Sequence, residues 1–250
     1  MNRTKPKQYF WFICNSCIRI RRIADGPRQR EGLLCPNCGL NARQRSVLLA
    51  IQKIRLKKRM GRNFQLIGVS DGIRINKVLT SKFNTNYKNF EYHIEPRLDI
   101  TSVDSTLECT ADIISCSEVL EHVQPPIEAA FTGLNLILKR GGFLVVSVPH
   151  RQKGHPHIEH FPVLTESQID LSGHPKLIGK TVSGEILEFD DLVFHGGAGS
   201  TLEYRVFSED SLRCNLIASG FVNIELQKNY RIFGIVWAPW SRVWIAQKSI

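Results

Sequence analysis

Three groups of residues have the types and spacing to do chemistry. The first is Cys14-Asn15-Ser16-Cys17 with Cys35-Pro36-Asn37-Cys38, a C-x2-C-x17-C-x2-C pattern. Each C-x2-C turn aims two thiolates at one point, and two such turns complete the tetrahedral shell that zinc takes. Gly39 follows the second pair, where a knuckle calls for positive φ. Cys14, Cys17, Cys35 and Cys38 are therefore expected to hold a structural Zn2+, with free thiols as the plainer alternative. The second group closes the stretch IISCSEVLEHV, where an apolar run delivers Glu118, Glu121 and His122 at its far end. His122 can brace its loop by hydrogen bonding, or act with Glu121 as general base for an acceptor hydroxyl or amine. The third group lies in residues 150–207, which carry His150, His155, His157, His160 and His195. His160 and His195, with Glu159, Asp190 and Asp191, are the acceptor-side candidates.

Composition bounds what these groups serve. The chain has 250 residues, 42% of them hydrophobic, enough for one full-sized core and a small appendage. No apolar run approaches the roughly 18–20 residues of a membrane span. The first residues lack the long apolar stretch of a secretory signal. Seven cysteines are an odd number, and four sit in C-x2-C pairs, which favours metal over disulfides. The expected location is the cytoplasm. Charge is uneven. Residues 1–62 hold 16 of the 33 Lys and Arg and two of the 23 acids, so that segment carries +14 and the remainder −4. Arg19, Arg21, Arg22, Arg28 and Arg30 surround the cysteines, and Lys/Arg clusters of this kind bind phosphate-rich partners. A solvated basic face is the plainer reading.

The elements that must position these residues are legible in the apolar pattern. A helix is expected over about 41–60, with Val47, Leu48, Ile51, Ile54 and Leu56 facing the core and Lys53, Arg55, Lys57, Lys58 and Arg59 facing water. From Phe64 the chain alternates. FQLIGV is a strand ending in SDG, 73–83 a helix, FEYHIEP a second strand and ADIISCS a third. Helix 126–139 and strand GGFLVVSVP follow, with Gly141-Gly142 as the turn between them. Helix SEDSLRCNLIASGF, capped by Ser208, leads to strands FVNIELQ and SRVWIAQK. Strand–helix alternation argues for a parallel sheet covered on both faces, with ligands at its C-terminal strand ends. Residues 1–62 are expected to form one module and 63–250 another, with 150–207 an inserted lid on the acceptor side.

DIISCSEVLEHVQPPIEAAFTGLNLILKRGGFLVVSVP resembles the core of class I S-adenosylmethionine-dependent methyltransferases. EYHIEPRLDIT, EHFP and the cysteine head resemble a bacterial subgroup associated with glycosyltransferases and surface polysaccharides. The resemblance implies a Rossmann-like, doubly wound, seven-stranded α/β sheet closed by an antiparallel hairpin, beside a small zinc ribbon. It implies S-adenosyl-L-methionine as cofactor. Gly68, Ser70, Asp71 and Gly72 would cradle its methionine part, Glu95 the ribose hydroxyls and Asp99 the adenine. Cys116, Ser117 and Glu118 would line the floor near the methyl group. The usual first loop is acid-x-Gly-x-Gly-x-Gly. Here Leu66 replaces the acid, and Asp71 is the substitute. The E-x-x-E-H spacing of Glu118, Glu121 and His122 also resembles the metal-binding strip of small-RNA 3′-end methyltransferases. That implies a divalent ion, with a further histidine from His150, His155, His157 or His160.

The function expected is methyl transfer to a small-molecule or glycan acceptor. Two alternatives stand beside it: an RNA methyltransferase gripping its substrate through basic residues 1–62, and a non-catalytic polyanion-binding module with a relic fold.

Overall fold

The computed structural model describes residues 9–24, 33–61, 63–151, 154–195, 201–236 and 242–250. Arg28, Arg30, Trp237 and Trp240 lie outside them. The head begins with an antiparallel hairpin, β1 (Tyr9–Cys14) and β2 (Arg19–Ala24), in which Cys14 pairs with Arg19. Helix α1 (Ala42–Lys57) follows the second knuckle. Asn41 caps it reciprocally: its side chain accepts from Gln44 N at 2.8 Å, and Gln44 Oε1 accepts from Asn41 N at 3.2 Å.

Val47, Leu48, Ile51 and Ile54 are buried, but Leu56 is 79% exposed. It lies off the i, i+3, i+4 stripe set by the other four. The basic residues depart further from expectation. Lys53 donates to the Tyr230 hydroxyl, Arg55 lies 4.4 Å over the Phe64 ring, and Lys58 lies 5.2 Å over Phe143. Their stems cover apolar surface, as long cationic side chains do. Much of this basic tail is thus spent on the fold.

The body runs β3 (Leu66–Val69), α2 (Ile73–Phe83), β4 (Tyr87–Phe90), β5 (Ala111–Ser117), α3 (Glu128–Ile137) and β6 (Leu138–Ser147). The inserted strands follow: β7 (His150–Arg151), β8 (Ile158–Glu159), β9 (Leu164–Asp170), β10 (Lys176–Thr181), β11 (Ile186–Phe189), β12 (Phe194–His195), β13 (Thr201–Leu202) and β14 (Arg205–Ser208). Helix α4 (Glu209–Ala218), β15 (Phe221–Leu226) and β16 (Val243–Lys248) close the chain. The central sheet is mixed, in the order β15-β16-β6-β5-β3-β4. Strands β6, β5, β3 and β4 are parallel, and β16 runs antiparallel to both β6 and β15. One face is covered by α3 and α4 through Phe131, Leu134 and Leu212, which pack in one cluster with Trp244 of β16, the other by α1 and α2 through Leu48, Ile51, Ile75 and Leu79.

Three expectations need correction. The sheet has six strands among the described residues, not seven. Between β4 and β5 the chain makes an isolated Glu91–Arg97 bridge and a 3-10 turn at Ser105–Leu107. Asp99 and Asp104 accept from the backbone N–H of Thr101 and Thr106, each at 2.8 Å. Such local turns compete with ladder pairing. The second strand is Tyr87–Phe90 rather than FEYHIEP, so Glu91, not Glu95, follows its end. Gly141-Gly142 is not a separate turn. α3 runs directly into β6, where Gly141 (φ 71°) sits in an irregular stretch of the pairing with β5.

The insertion has its own small core. Antiparallel strands β9, β10 and β11 pack Leu164 and Leu177 against Phe161, Leu202 and Tyr204. Strand β14, parallel to β7 and antiparallel to β8, ties this layer to the body.

Candidate functional site

The chain leaves β3 to one side for β4 and returns to the other side for β5, so the strand order reverses between β3 and β5. In open α/β sheets the ligand crevice opens at that point, beyond the C-terminal strand ends. The loop after β3 turns sharply there. Ser70 has φ 52°, and its N–H donates to Phe90 O at 2.8 Å. Gly68 lies beneath the loop. A Cβ there would sit 2.5 Å from Asp71 Oδ2 and 2.7 Å from both Asn89 Oδ1 and the Tyr87 hydroxyl. Gly72 precedes α2 and borders open space.

Asp71 points inward. It is 3% exposed, and its carboxylate accepts from the Tyr87 hydroxyl and from Ser115 Oγ, each at 3.0 Å. Burial pushes its carboxyl up to about 7, against the lowering effect of those two donors. Asn89 completes the bracket. Its Oδ1 accepts from Asp71 N at 3.0 Å, and its Nδ2 donates to Glu91 Oε1 at 2.7 Å. Asp71 therefore braces the loop from below, and Glu91 is the acid beside it at the end of β4. Glu95 stands four residues further on, exposed, accepting from Arg97 N at 3.0 Å. Asp99 lies on the same connection, held by Thr101.

On the β5 side Ser117 Oγ and Ser147 Oγ are 2.7 Å apart, and Ser147 Oγ donates to Glu118 Oε1 at 3.3 Å. Glu118 turns the chain with φ 59°. Arg43, from the first turn of α1, donates to Ser117 Oγ, and its Nε lies 3.9 Å from Glu118 Oε1. Cys116 is fully buried. Burial pushes its thiol far up, and the nearby Glu121 and Asp71 add to this, so it packs as a neutral floor residue.

The 3-10 turn Leu120–His122 follows. Glu121 is completely buried, with Oε1 3.7 Å from His122 Nε2. His122 Nδ1 lies 2.7 Å from Leu202 O, and its ring stacks edge-on against His195 at 4.8 Å. Glu203 links the two acceptor-side histidines, with Oε2 2.8 Å from His195 Nε2 and Oε1 3.2 Å from His160 Nε2. Glu121, His122 and His195 each bring one ligand atom within 4.8 Å of the others. The further histidine beside Glu121 and His122 is thus His195, and Glu118 turns instead toward Ser147 and Arg43. His150 is buried at Val148 O and Glu209, His155 is exposed, and His157 lies between Glu159 and Ser211.

In the head, Cys14 Sγ lies 3.7 Å from Cys38 Sγ, and Cys17 Sγ lies 3.9 Å from Cys35 Sγ. Metal–sulfur bonds of about 2.3 Å in a tetrahedron put sulfurs about 3.8 Å apart. All four sulfurs fall within 4.8 Å of one another. Gly39 has the positive φ expected of it, 70°. Arg45 is buried beneath the cluster, donating to Leu33 O, Leu40 O and Gly234 O while its guanidinium lies 4.8 Å over Phe12. Burial draws its pKa down, and the nearby sulfurs oppose this. A buried cation beside four sulfurs fits a centre with net negative charge.

No family model matches the chain, and no curated protein matches it. Among solved structures it is similar to several S-adenosylmethionine-dependent methyltransferases. One is the amino pentose methyltransferase CalS10 of Micromonospora echinaspora, at 15% identity over 83% of this chain and 92% of that one, with TM-score 0.48. Another, from Clostridium acetobutylicum, shows 12% identity over 84% and 93%, with TM-score 0.49. A third is the 1,6-didemethyltoxoflavin-N1-methyltransferase of Burkholderia thailandensis, bound to S-adenosylhomocysteine, at 15% over 84% and 79%, with TM-score 0.45.

Four residues at the site escaped the sequence reading. Arg43 was legible only as part of a basic run, and Glu91 was hidden by the misplaced strand end. Arg205 sits in the insertion 85 residues from Leu120, and Glu203 joins two histidines that no short spacing relates. Arg205 is fully buried. It donates to Glu159 through Nε at 2.9 Å and Nη2 at 2.8 Å, and through Nη1 to Leu120 O at 2.8 Å and to Val123 O. This strut fastens the Glu121–His122 turn to the insertion. Among the described residues no helix is long and apolar enough to cross a membrane.

Proposed function

We propose that this chain is an S-adenosylmethionine-dependent methyltransferase whose head cysteines hold a structural Zn2+. The observation that carries the reading is the group of residues at the strand-order reversal: a tight loop over Gly68, an acid at the end of the neighbouring strand, and a sheet closed by an antiparallel hairpin. Backbone groups of Ser70, Asp71 and Gly72 hold the cofactor's methionine part. Glu91 takes the ribose hydroxyls, since one carboxylate accepts two hydrogen bonds. Asp99 and Glu95 lie toward the adenine. Ser117 and Glu118, positioned by Arg43 and Ser147, line the floor beside the methyl group. The cofactor supplies a methyl on a sulfonium, a good leaving group, so the protein's main task is in-line positioning of the acceptor. Glu121, His122, His160 and His195 stand on the acceptor side under the insertion. An acceptor rich in hydroxyl or amino groups, such as a sugar or glycan intermediate, suits this set.

A second reading of the acceptor, RNA, draws on the hairpin's outer face. Trp11 is 60% exposed, and Arg22 lies 4.1 Å over the Tyr9 ring and 5.6 Å from Trp11. Stacking aromatics interleaved with cations suit single-stranded nucleic acid. RNA affinity that falls steeply with salt and is lost in Trp11→Ala would favour it.

Calorimetric titration of the zinc-loaded protein with S-adenosylmethionine tests the main reading. Saturable binding is expected, weakened at least about tenfold in Glu91→Gln, a loss of about 1.4 kcal/mol, and less in Glu95→Gln. A wild type that takes no cofactor sinks the proposal.

A further inference from the structure

We infer that Glu121, His122 and His195 form a second metal site, for a divalent transition ion such as Zn2+, Fe2+ or Co2+. The ligand atoms converge within 4.8 Å, and Glu121 is completely buried. A buried carboxylate beside two imidazoles is the donor set that borderline divalent ions select, and nitrogen ligands disfavour Mg2+ and Ca2+. Both rings are held by outer partners in the manner of metal-binding histidines. His122 Nδ1 faces Leu202 O at 2.7 Å, which turns Nε2 toward Glu121. His195 is anchored through Nε2 by Glu203, whose other oxygen holds His160.

Two independent parts of the fold make the site. Glu121 and His122 come from the turn after β5, and His195 comes from β12 of the insertion, across 73 residues of sequence. The Arg205 strut and the Tyr204 N–H to Glu121 O bond at 2.8 Å fix one part against the other. Three protein ligands leave coordination positions open, as catalytic rather than structural sites do. Bound to an ion, His122 Nε2 is no longer a proton acceptor, so this assignment and the general-base role exclude each other. The site does not depend on the cofactor reading.

Cobalt(II) titration of the protein loaded with a single equivalent of zinc, which the four thiolates take first, tests the inference. The cysteine centre keeps its zinc, and one further equivalent of Co2+ is expected. Its visible bands should be those of nitrogen and oxygen ligation, without the near-ultraviolet thiolate charge transfer. Metal analysis after dialysis should return two ions per chain in the wild type and one in His195→Ala. Glu203→Gln keeps all three ligands and should weaken Co2+ binding by about 10–100-fold. Far-ultraviolet circular dichroism reports that each variant is folded. His195 is only half-buried, so its loss leaves the insertion core of Leu164 and Leu177 in place. One ion per folded wild-type chain, or equal Co2+ binding in His195→Ala, overturns the site.

Discussion

Replacing Arg205 by methionine removes the strut while keeping most of its volume. The wild-type guanidinium has no exposed surface and satisfies the Glu159 carboxylate together with two turn carbonyls. Deleting one partner of a buried ion pair costs about 3–5 kcal/mol, because the other is left unmatched. Glu159 keeps a fifth of its side chain in solvent, so the lower end, about 3 kcal/mol, applies. At roughly 2–4 °C per kcal/mol for a chain of this size, Tm should fall by about 10 °C. The double variant Arg205→Met/Glu159→Leu should recover most of that loss, since an apolar pair carries no desolvation cost. The pH dependence carries a sign. Burial pushes the Glu159 carboxyl up, but hydrogen bonds from His157 and Arg205 outweigh it and hold it below the usual range. A depressed carboxylate stabilises the fold above its unfolded pKa and loses that contribution as pH falls through the folded value. The gap between wild type and the single variant should therefore narrow in acid. Urea denaturation of the three proteins at several pH values measures this. A single variant within about 1 kcal/mol of wild type, or a double variant no better than the single, refutes the reasoning.

Asp71 should give the opposite pH signature. Its folded carboxyl lies at about 7, above the unfolded value of 3.8, so the native state holds a proton that the unfolded chain releases. Stability is expected to decline from pH 4 to 7, by up to about 1.4 kcal/mol per pH unit, and Asp71→Asn should flatten the curve. A wild-type profile already flat over that window contradicts it. Gly68→Ala forces a Cβ against Asp71, Asn89 and Tyr87, which should cost about 1–3 kcal/mol in denaturant titrations and distort the loop. Cofactor affinity in calorimetry should fall with it, and an alanine variant that binds normally means the loop is not the cradle.

The alternation of apolar runs with Gly-, Asp- and Pro-marked turns was enough to place β3, α2, β5 and α4. It also placed the four cysteines as one group, because C-x2-C turns are local geometry. The helices and turns rest on contacts within a few residues, which is what linear pattern records, and the two C-x2-C turns declare a common partner by their chemistry although their sulfurs are 18 and 24 residues apart. The end of β4 was misplaced because FEYHIEP has strand composition throughout, while its register is set by pairing with β3 alone. Among the described residues no seventh strand joins the sheet, and between β4 and β5 Asp99 and Asp104 accept from the backbone of Thr101 and Thr106, where a neighbouring strand would have to compete. What only the tertiary structure decided is which distant residues share a site. Asp71 faces inward because Tyr87 and Ser115 wait beneath it. Arg43 reaches Ser117 because α1 lies on the sheet. His195 reaches His122 because Arg205 and the Tyr204 N–H hold the insertion against the turn. These partners are 16 to 85 residues apart, and no periodicity links them. Their meeting is fixed by burial, where a polar group without a partner is too costly to keep.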